Sequence, residues 1–195
     1  YSKISNPQEP LNIYIEGDGF AWRNRYSPSH NPTPKNPVSL KLAISDPASN
    51  ILYIARPCQY VDLKKNALCQ EKFWKGSRFS EMVIDSVNEV ISNIVEKNKI
   101  HKVNIFGYSG GAAVAVLVAS KRKDVNVIGT VAGNLNHKKL MLFHHVSPLE
   151  DSLDAVDVVA KMKDTPQFHL IGAKDRIVPA DIIISFAKAV NKMGG

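Results

Sequence analysis

Residues 107–111 read Gly107-Tyr108-Ser109-Gly110-Gly111, a glycine-flanked serine set directly after the largely apolar run 103–106 and directly before an alanine- and valine-rich stretch that reaches Ser120. Strand, G-x-S-x-G turn and helix in that order form the context in which this motif carries chemistry. A serine hydroxyl is a poor nucleophile unless it stands clear of its surroundings beside a base. A sharp strand-to-helix turn presents it in that way by forcing a strained backbone. Glycines two residues to either side leave room for the turn. The new helix starts at the serine, so its positive end and the free amide of Gly110 point towards an oxyanion formed on an acyl carbonyl. Ser109 is therefore the candidate nucleophile and Gly110 one candidate oxyanion donor. No Walker lysine follows the glycines, which excludes a phosphate-binding loop.

Outward from this turn, short apolar runs rich in Ile, Val and Tyr alternate with longer segments of helical period. That alternation predicts an α/β fold, a largely parallel central sheet with helices on both faces. The strand candidates are residues 11–16, 51–56, 103–106, 125–131 and 167–171. The clearest helix covers residues 81–97, with Met82, Val83, Val87, Val90, Ile91, Ile94 and Val95 on its apolar face and Ser80 placed to cap its start. A second helix follows Ser109 to Ser120, and a third over 181–193 aligns Ile182, Ile183, Phe186 and Val190. The proline-rich residues 27–37 read as a surface loop. Residues 134–164 form a connection longer than usual, either a lid over the site or a helical crossover. Asp151, Asp154 and Asp157 within it read as solvated helix-face or cap residues.

The 195 residues, 44% hydrophobic and 22% charged, are enough for one substantial core, and a single domain over residues 1–195 is expected. No apolar run reaches the roughly 20 residues of a membrane span. The net charge of +7 favours anionic partners, including phospholipid surfaces, so peripheral membrane association is one expectation. The densest basic run, Lys121-Arg122-Lys123, falls where a helix should end and there complements the helix dipole. Neither aromatic-interleaved basic stretches nor zinc-type spacing occurs, which argues against nucleic-acid binding.

Two cysteines, Cys58 and Cys69, flank a polar loop long enough for their sulfurs to meet. They read as a disulfide, which persists only in an oxidising compartment; the alternative is two separate buried thiols. A periplasmic or secreted location follows from the first reading.

The chain resembles the α/β-hydrolase superfamily from Leu11 to Gly195. It is more closely similar to bacterial secreted or lipoprotein hydrolases through Tyr14-Ile15-Glu16-Gly17-Asp18-Gly19, Arg56-Pro57-Cys58-Gln59-Tyr60, the Ser109 turn and Val131-Ala132-Gly133-Asn134-Leu135. The resemblance leaves open a lipid anchor ahead of Tyr1. It implies a second oxyanion donor after the first long strand, where Glu16-Gly17-Asp18-Gly19 stands in place of a His-Gly motif, and so nominates the Asp18 amide. The Asp18 carboxylate would repel an oxyanion, so it must turn away or be paired. Residues 170–179 resemble the superfamily's Gly-x-x-Asp-x-x-Val-Pro turn and make Asp175 the acid that orients a histidine.

The expected chain order is serine, acid, histidine, yet no histidine follows Asp175. A trimmed chain is one expectation, with the base beyond Gly195 and Tyr1 to Ile4 the tail of an earlier strand. A substitute base from His137, His144 or His145 is another. His101, His169 and His30 fall at a helix–strand turn, in a strand and in the proline-rich loop. The implied reaction is hydrolysis of a small-molecule or lipid acyl ester through an acyl-enzyme, with no cofactor and no metal required. The rival reading is a non-catalytic binding protein that keeps the turn as scaffold.

Overall fold

The computed structural model describes residues 1–24 and 27–195. Its strands are β1 (Ser2–Ile4), β2 (Leu11–Ile15), β3 (Asn50–Ile54), β4 (Val103–Tyr108), β5 (Val125–Val131) and β6 (Gln167–Leu170). They form one sheet in the order β1-β3-β2-β4-β5-β6. Only β1 runs antiparallel, against β3; the other pairs are parallel. The expected strands at 11–16 and 51–56 stop before Glu16 and Arg56. The Glu16 side chain binds the first turn of α1 and that of Arg56 binds Asp18, as described below.

Helices α1 (Val38–Ser45), α2 (Glu81–Asn98), α3 (Gly110–Ala119), α4 (His137–Phe143) and α5 (Ala180–Lys192) connect the strands. Strand periodicity assigns them to two layers. Leu11, Ile13, Ile15, Leu52, Ile54, Val103, Ile105 and Ile128 share one core with the apolar stripes of α2, α3 and α5. The alternate positions Ile51 and Tyr53, with Tyr14 against them, pack on Ala43 of α1 on the opposite face. Every residue of α3 is buried, which explains why it shows no polar stripe. A Cβ on Gly111 would collide with the carbonyls of Ile15 and Glu16, so the helix approaches β2 as only glycine permits.

Several local expectations need correction. Met82 and Val90 of α2 are exposed, and its buried stripe is Val83, Ile84, Val87 and Ile91, set by the 100° step of the helix. Ser80 stands at the N-cap but caps with its carbonyl alone, accepting from Ile84 N at 3.0 Å; its hydroxyl is buried without a partner among the described residues. Asp154 is fully buried, because the first amides of α4 lack helical acceptors and two of them, His137 N and Lys138 N, donate to its carboxylate at 3.1 Å each. The Lys121-Arg122-Lys123 run follows the end of α3, as expected, and adds side-chain pairs: Lys121 with Glu81 and Asp85 of α2, and Arg122 with Asp124.

The proline-rich loop lacks helix and strand, as expected, but it is not simply a surface loop. Ser29 and Pro32 are buried, with their carbonyls accepting from Trp74 Nε1 and Phe20 N at 3.0 Å. The 134–164 connection holds α4 and a 3-10 segment (Ala155–Lys161), and Leu140, Ala155, Val159 and Met162 from it join the main core. Among the described residues, no helix is long and apolar enough to cross a membrane.

Cys58 and Cys69 form a disulfide across 11 positions with their Cα atoms 5.4 Å apart. Closing so short a loop stabilises the fold by about 3 kcal/mol in the chain-entropy model. The double variant Cys58→Ser/Cys69→Ser should lose about 2–3 kcal/mol in urea unfolding. An unchanged midpoint would mean that the reduced chain is already ordered around this loop.

Candidate active site

Ser109 joins β4 to α3 with φ 52° and ψ −121°, a conformation natural to glycine and strained for serine. Three backbone hydrogen bonds hold it there. Ser109 N donates to Val131 O at 2.9 Å, and Ser109 O accepts from Ala112 N at 3.1 Å and Asn134 N at 3.0 Å. A Cβ on Gly107 would strike Ala112 and the Gly111 carbonyl, so the first glycine of the motif is required for the same close turn.

The segment after β2 lies against this turn. A Cβ built on Gly17 would come 3.4 Å from the Ser109 Cβ and 3.0 Å from the Tyr108 ring, while one on Gly110 would fall on the Asp18 carboxylate. The amides of Asp18 and Gly110 have no acceptor among the described residues, and neither does the Ser109 hydroxyl have a partner. A cleft of about 310 Å³ opens here, with Gly17, Asp18, Phe20, Lys35, Tyr108 and Ser109 in its wall. Lys35 Nζ sits 4.4 Å above the Phe20 ring at its rim.

Both carboxylates of the segment turn into the scaffold. Glu16 is buried; it accepts from Gly17 N at 3.0 Å, from Ser39 N and Leu40 N in the first turn of α1 at 3.4 and 3.3 Å, and from Tyr53 OH at 3.3 Å. Burial together with the Glu16 charge raises the Tyr53 phenol above its ordinary range. Asp18 is held between Arg56 Nη1 at 3.0 Å and Arg78 Nη1 at 2.8 Å. Burial alone would raise its carboxyl, but the Arg78 and Arg56 charges outweigh that and hold it below the usual carboxylate range. The required neutralisation of Asp18 is thus met by two guanidiniums. The motif containing Arg56 was visible in the sequence; nothing pointed to Arg78.

Asp175 sits in the turn after β6 and accepts from Ile177 N at 2.8 Å and Val178 N at 3.0 Å, both on Oδ1. Among the described residues nothing bonds its Oδ2, and Arg176 makes no ion pair with it. The histidines are placed elsewhere than in the wall of the cleft. His137 is buried at the start of α4, with Nε2 3.8 Å from the Asp154 carboxylate. Desolvation lowers its pKa despite that charge. His144 Nε2 donates to Ile177 O at 2.8 Å, which ties it to the Asp175 turn; His145 follows with φ 51°. In β6, His169 Nε2 donates to Gln167 Oε1 at 3.2 Å and Nδ1 accepts from Thr130 Oγ1 at 2.8 Å, and burial pushes this ring down to about 4. Among the described residues, no three His, Cys, Asp or Glu side chains gather as a metal site would require.

The chain superposes on acylaminoacyl peptidase from Pyrococcus horikoshii with a TM-score of 0.66 at 14% identity, over 98% of this chain and 32% of that one. It superposes on the Pyrococcus furiosus esterase Pf2001 with a TM-score of 0.64 at 15% identity, covering 97% of this chain and 71% of that one. The corresponding values for Est1E from Butyrivibrio proteoclasticus, solved with ferulic acid bound, are 0.66, 13%, 97% and 80%. The chain thus spans about a third of the peptidase's length. At these identities the likeness is one of fold, and the fold is that of the α/β-hydrolases. No curated protein matches the chain in sequence. The model of the serine hydrolase (FSH1) family matches residues 58–193, which takes in the Ser109 turn and Asp175 and leaves out residues 16–19. With that match over most of its length, the chain belongs to the FSH1 family of serine hydrolases.

Proposed function

We propose that this hydrolase cleaves acyl esters with Ser109 as nucleophile, Asp18 and Gly110 as amide donors to the oxyanion, and Asp175 as the acid of the relay. The observation that supports it most directly is the strained backbone of Ser109, held by three hydrogen bonds beside two unengaged amides. In this reading Ser109 Oγ attacks the acyl carbon while its proton passes to a histidine base, which the described residues do not supply in the wall of the cleft. The carbonyl oxygen becomes an oxyanion and accepts from both amides. Collapse expels the alcohol, which takes the proton from the base. Water then repeats the sequence on the acyl-enzyme and frees the acid. The open Oδ2 of Asp175 is the acceptor that the base's second ring N–H needs.

Esters are chosen because one of the structural neighbours, Pf2001, is an esterase by name, an argument from fold. Phe20 and Lys35 at the rim suit a small-molecule or lipid acyl ester with an apolar body. The Cys58–Cys69 bridge supports a secreted or periplasmic setting.

Treatment with a fluorophosphonate followed by peptide mass spectrometry tests this reading. The expected result is one phosphonyl adduct, on Ser109. Its absence would turn the interpretation to a hydrolase-fold binding protein.

A further inference from the structure

The Arg56-Pro57-Cys58-Gln59 turn has no part in the reaction as described, yet the side chains of Arg56 and Gln59 both bond the Asp18 segment. Gln59 is buried, and its Nε2 donates to the Gly17 carbonyl at 3.0 Å. Its Oε1 accepts from Arg56 N at 3.1 Å, so partners of opposite kind fix both ends of the side-chain amide. Gln59 N returns to Arg56 O at 3.1 Å and closes the turn. From the same turn Arg56 reaches the Asp18 carboxylate, and a Cβ on Gly19 would come 2.8 Å from Gln59 Nε2.

The bond from Gln59 has a geometric consequence. The Gly17 carbonyl and the Asp18 N–H belong to one planar trans peptide unit, so they point in opposite directions and cannot be turned independently. Holding the carbonyl on one side aims the amide on the other. The turn that does the holding is itself locked: Cys58 and Tyr60 both have positive φ, 69° and 59°, Cys58 is bridged to Cys69, and Tyr60 N donates to Thr33 Oγ1 at 2.8 Å. Strained non-glycine residues persist only where the surroundings over-determine them.

We infer that Gln59 is the positioning residue of the oxyanion donor: through the Gly17 carbonyl it aims the Asp18 amide at the developing negative charge. This rests on the proposed role of Ser109 and the Asp18 amide. It assigns Gln59 no contact with substrate, so its removal should slow the covalent step and leave initial binding unchanged.

The test is the kinetics of fluorophosphonate labelling of the oxidised chain, resolved into binding (KI) and bond formation (kinact). Gln59→Met, of similar volume but with no donor, should lower kinact by about 10- to 100-fold with KI within about twofold, since a misaimed or lost oxyanion donor costs rates of this order. Gln59→Glu, whose carboxylate repels the Gly17 carbonyl, should do the same and serves if the Met variant does not fold. Near-ultraviolet circular dichroism and the urea midpoint check that each variant is native. A purely structural role would lower the midpoint and leave kinact at the wild-type value in the folded variant, which would overturn the inference while Ser109 labelling stands. If wild-type Ser109 is not labelled at all, the proposed nucleophile fails and the positioning role falls with it.

Discussion

Ser109→Ala is expected to lower ester hydrolysis by about 10⁴- to 10⁶-fold, the range found when a nucleophile that works as a unit with its base is removed. This corresponds to about 5–8 kcal/mol of lost transition-state stabilisation. The fold should survive, because the backbone bonds from Ser109 to Val131, Ala112 and Asn134 do not involve the hydroxyl. A second substitution separates strain from chemistry. Ser109→Gly should be as inactive as Ser109→Ala yet more resistant to urea by about 1 kcal/mol, since glycine adopts φ 52° without the Cβ penalty. Steady-state rates on a p-nitrophenyl ester, with urea midpoints for the three proteins, give both answers. Activity of Ser109→Ala within tenfold of wild type would remove Ser109 from the reaction.

The serine turn was legible because its meaning is local. The largely apolar residues 103–106, the glycines at 107 and 111 and the small residues after them fix strand, turn and helix within a few positions. The longer helices were legible for a related reason: 81–97 and 181–193 repeat their apolar residues over several turns, which makes the period unmistakable. Helix α1 was not, since it has eight residues and exposes Leu42 and Ile44, so its pattern does not separate a buried from a solvated face. Its start is fixed instead by the carboxylate of Glu16, which lies 23 positions before Ser39. Asp154 caps as expected, but its burial was not legible, because its partners are the amides of another helix. Arg78 reaches Asp18 across 60 positions, and no spacing rule spans that distance. Local chemistry could be read from the chain, whereas the pairing of distant charges required the fold.

That pairing leads to the second large effect. Asp18→Ala should destabilise the protein by about 3–5 kcal/mol at neutral pH, the range for removing one partner from a buried ion pair. The guanidiniums of Arg56 and Arg78, with side chains 4% and 10% exposed, would then share their site without a counter-charge. The pH dependence has a definite sign. The Asp18 carboxyl lies below its ordinary value of 3.8 in the folded protein, so its contribution is complete above that value and is lost as the pH falls through the lower folded value. The stability gap between wild type and Asp18→Ala should therefore be widest near neutrality and close in acid, where protonated Asp18 also leaves both arginines unpaired. Urea unfolding of the two proteins across this range measures the gap directly. A gap that stayed constant with pH would mean that Asp18 contributes by packing against Gly110 and not by its charge. The substitution leaves the Asp18 amide in place, so a fall in acyl transfer beyond what unfolding accounts for would reflect a loosened oxyanion loop. In that case the two arginines, which touch no substrate in the proposed reaction, act on it through the backbone they hold.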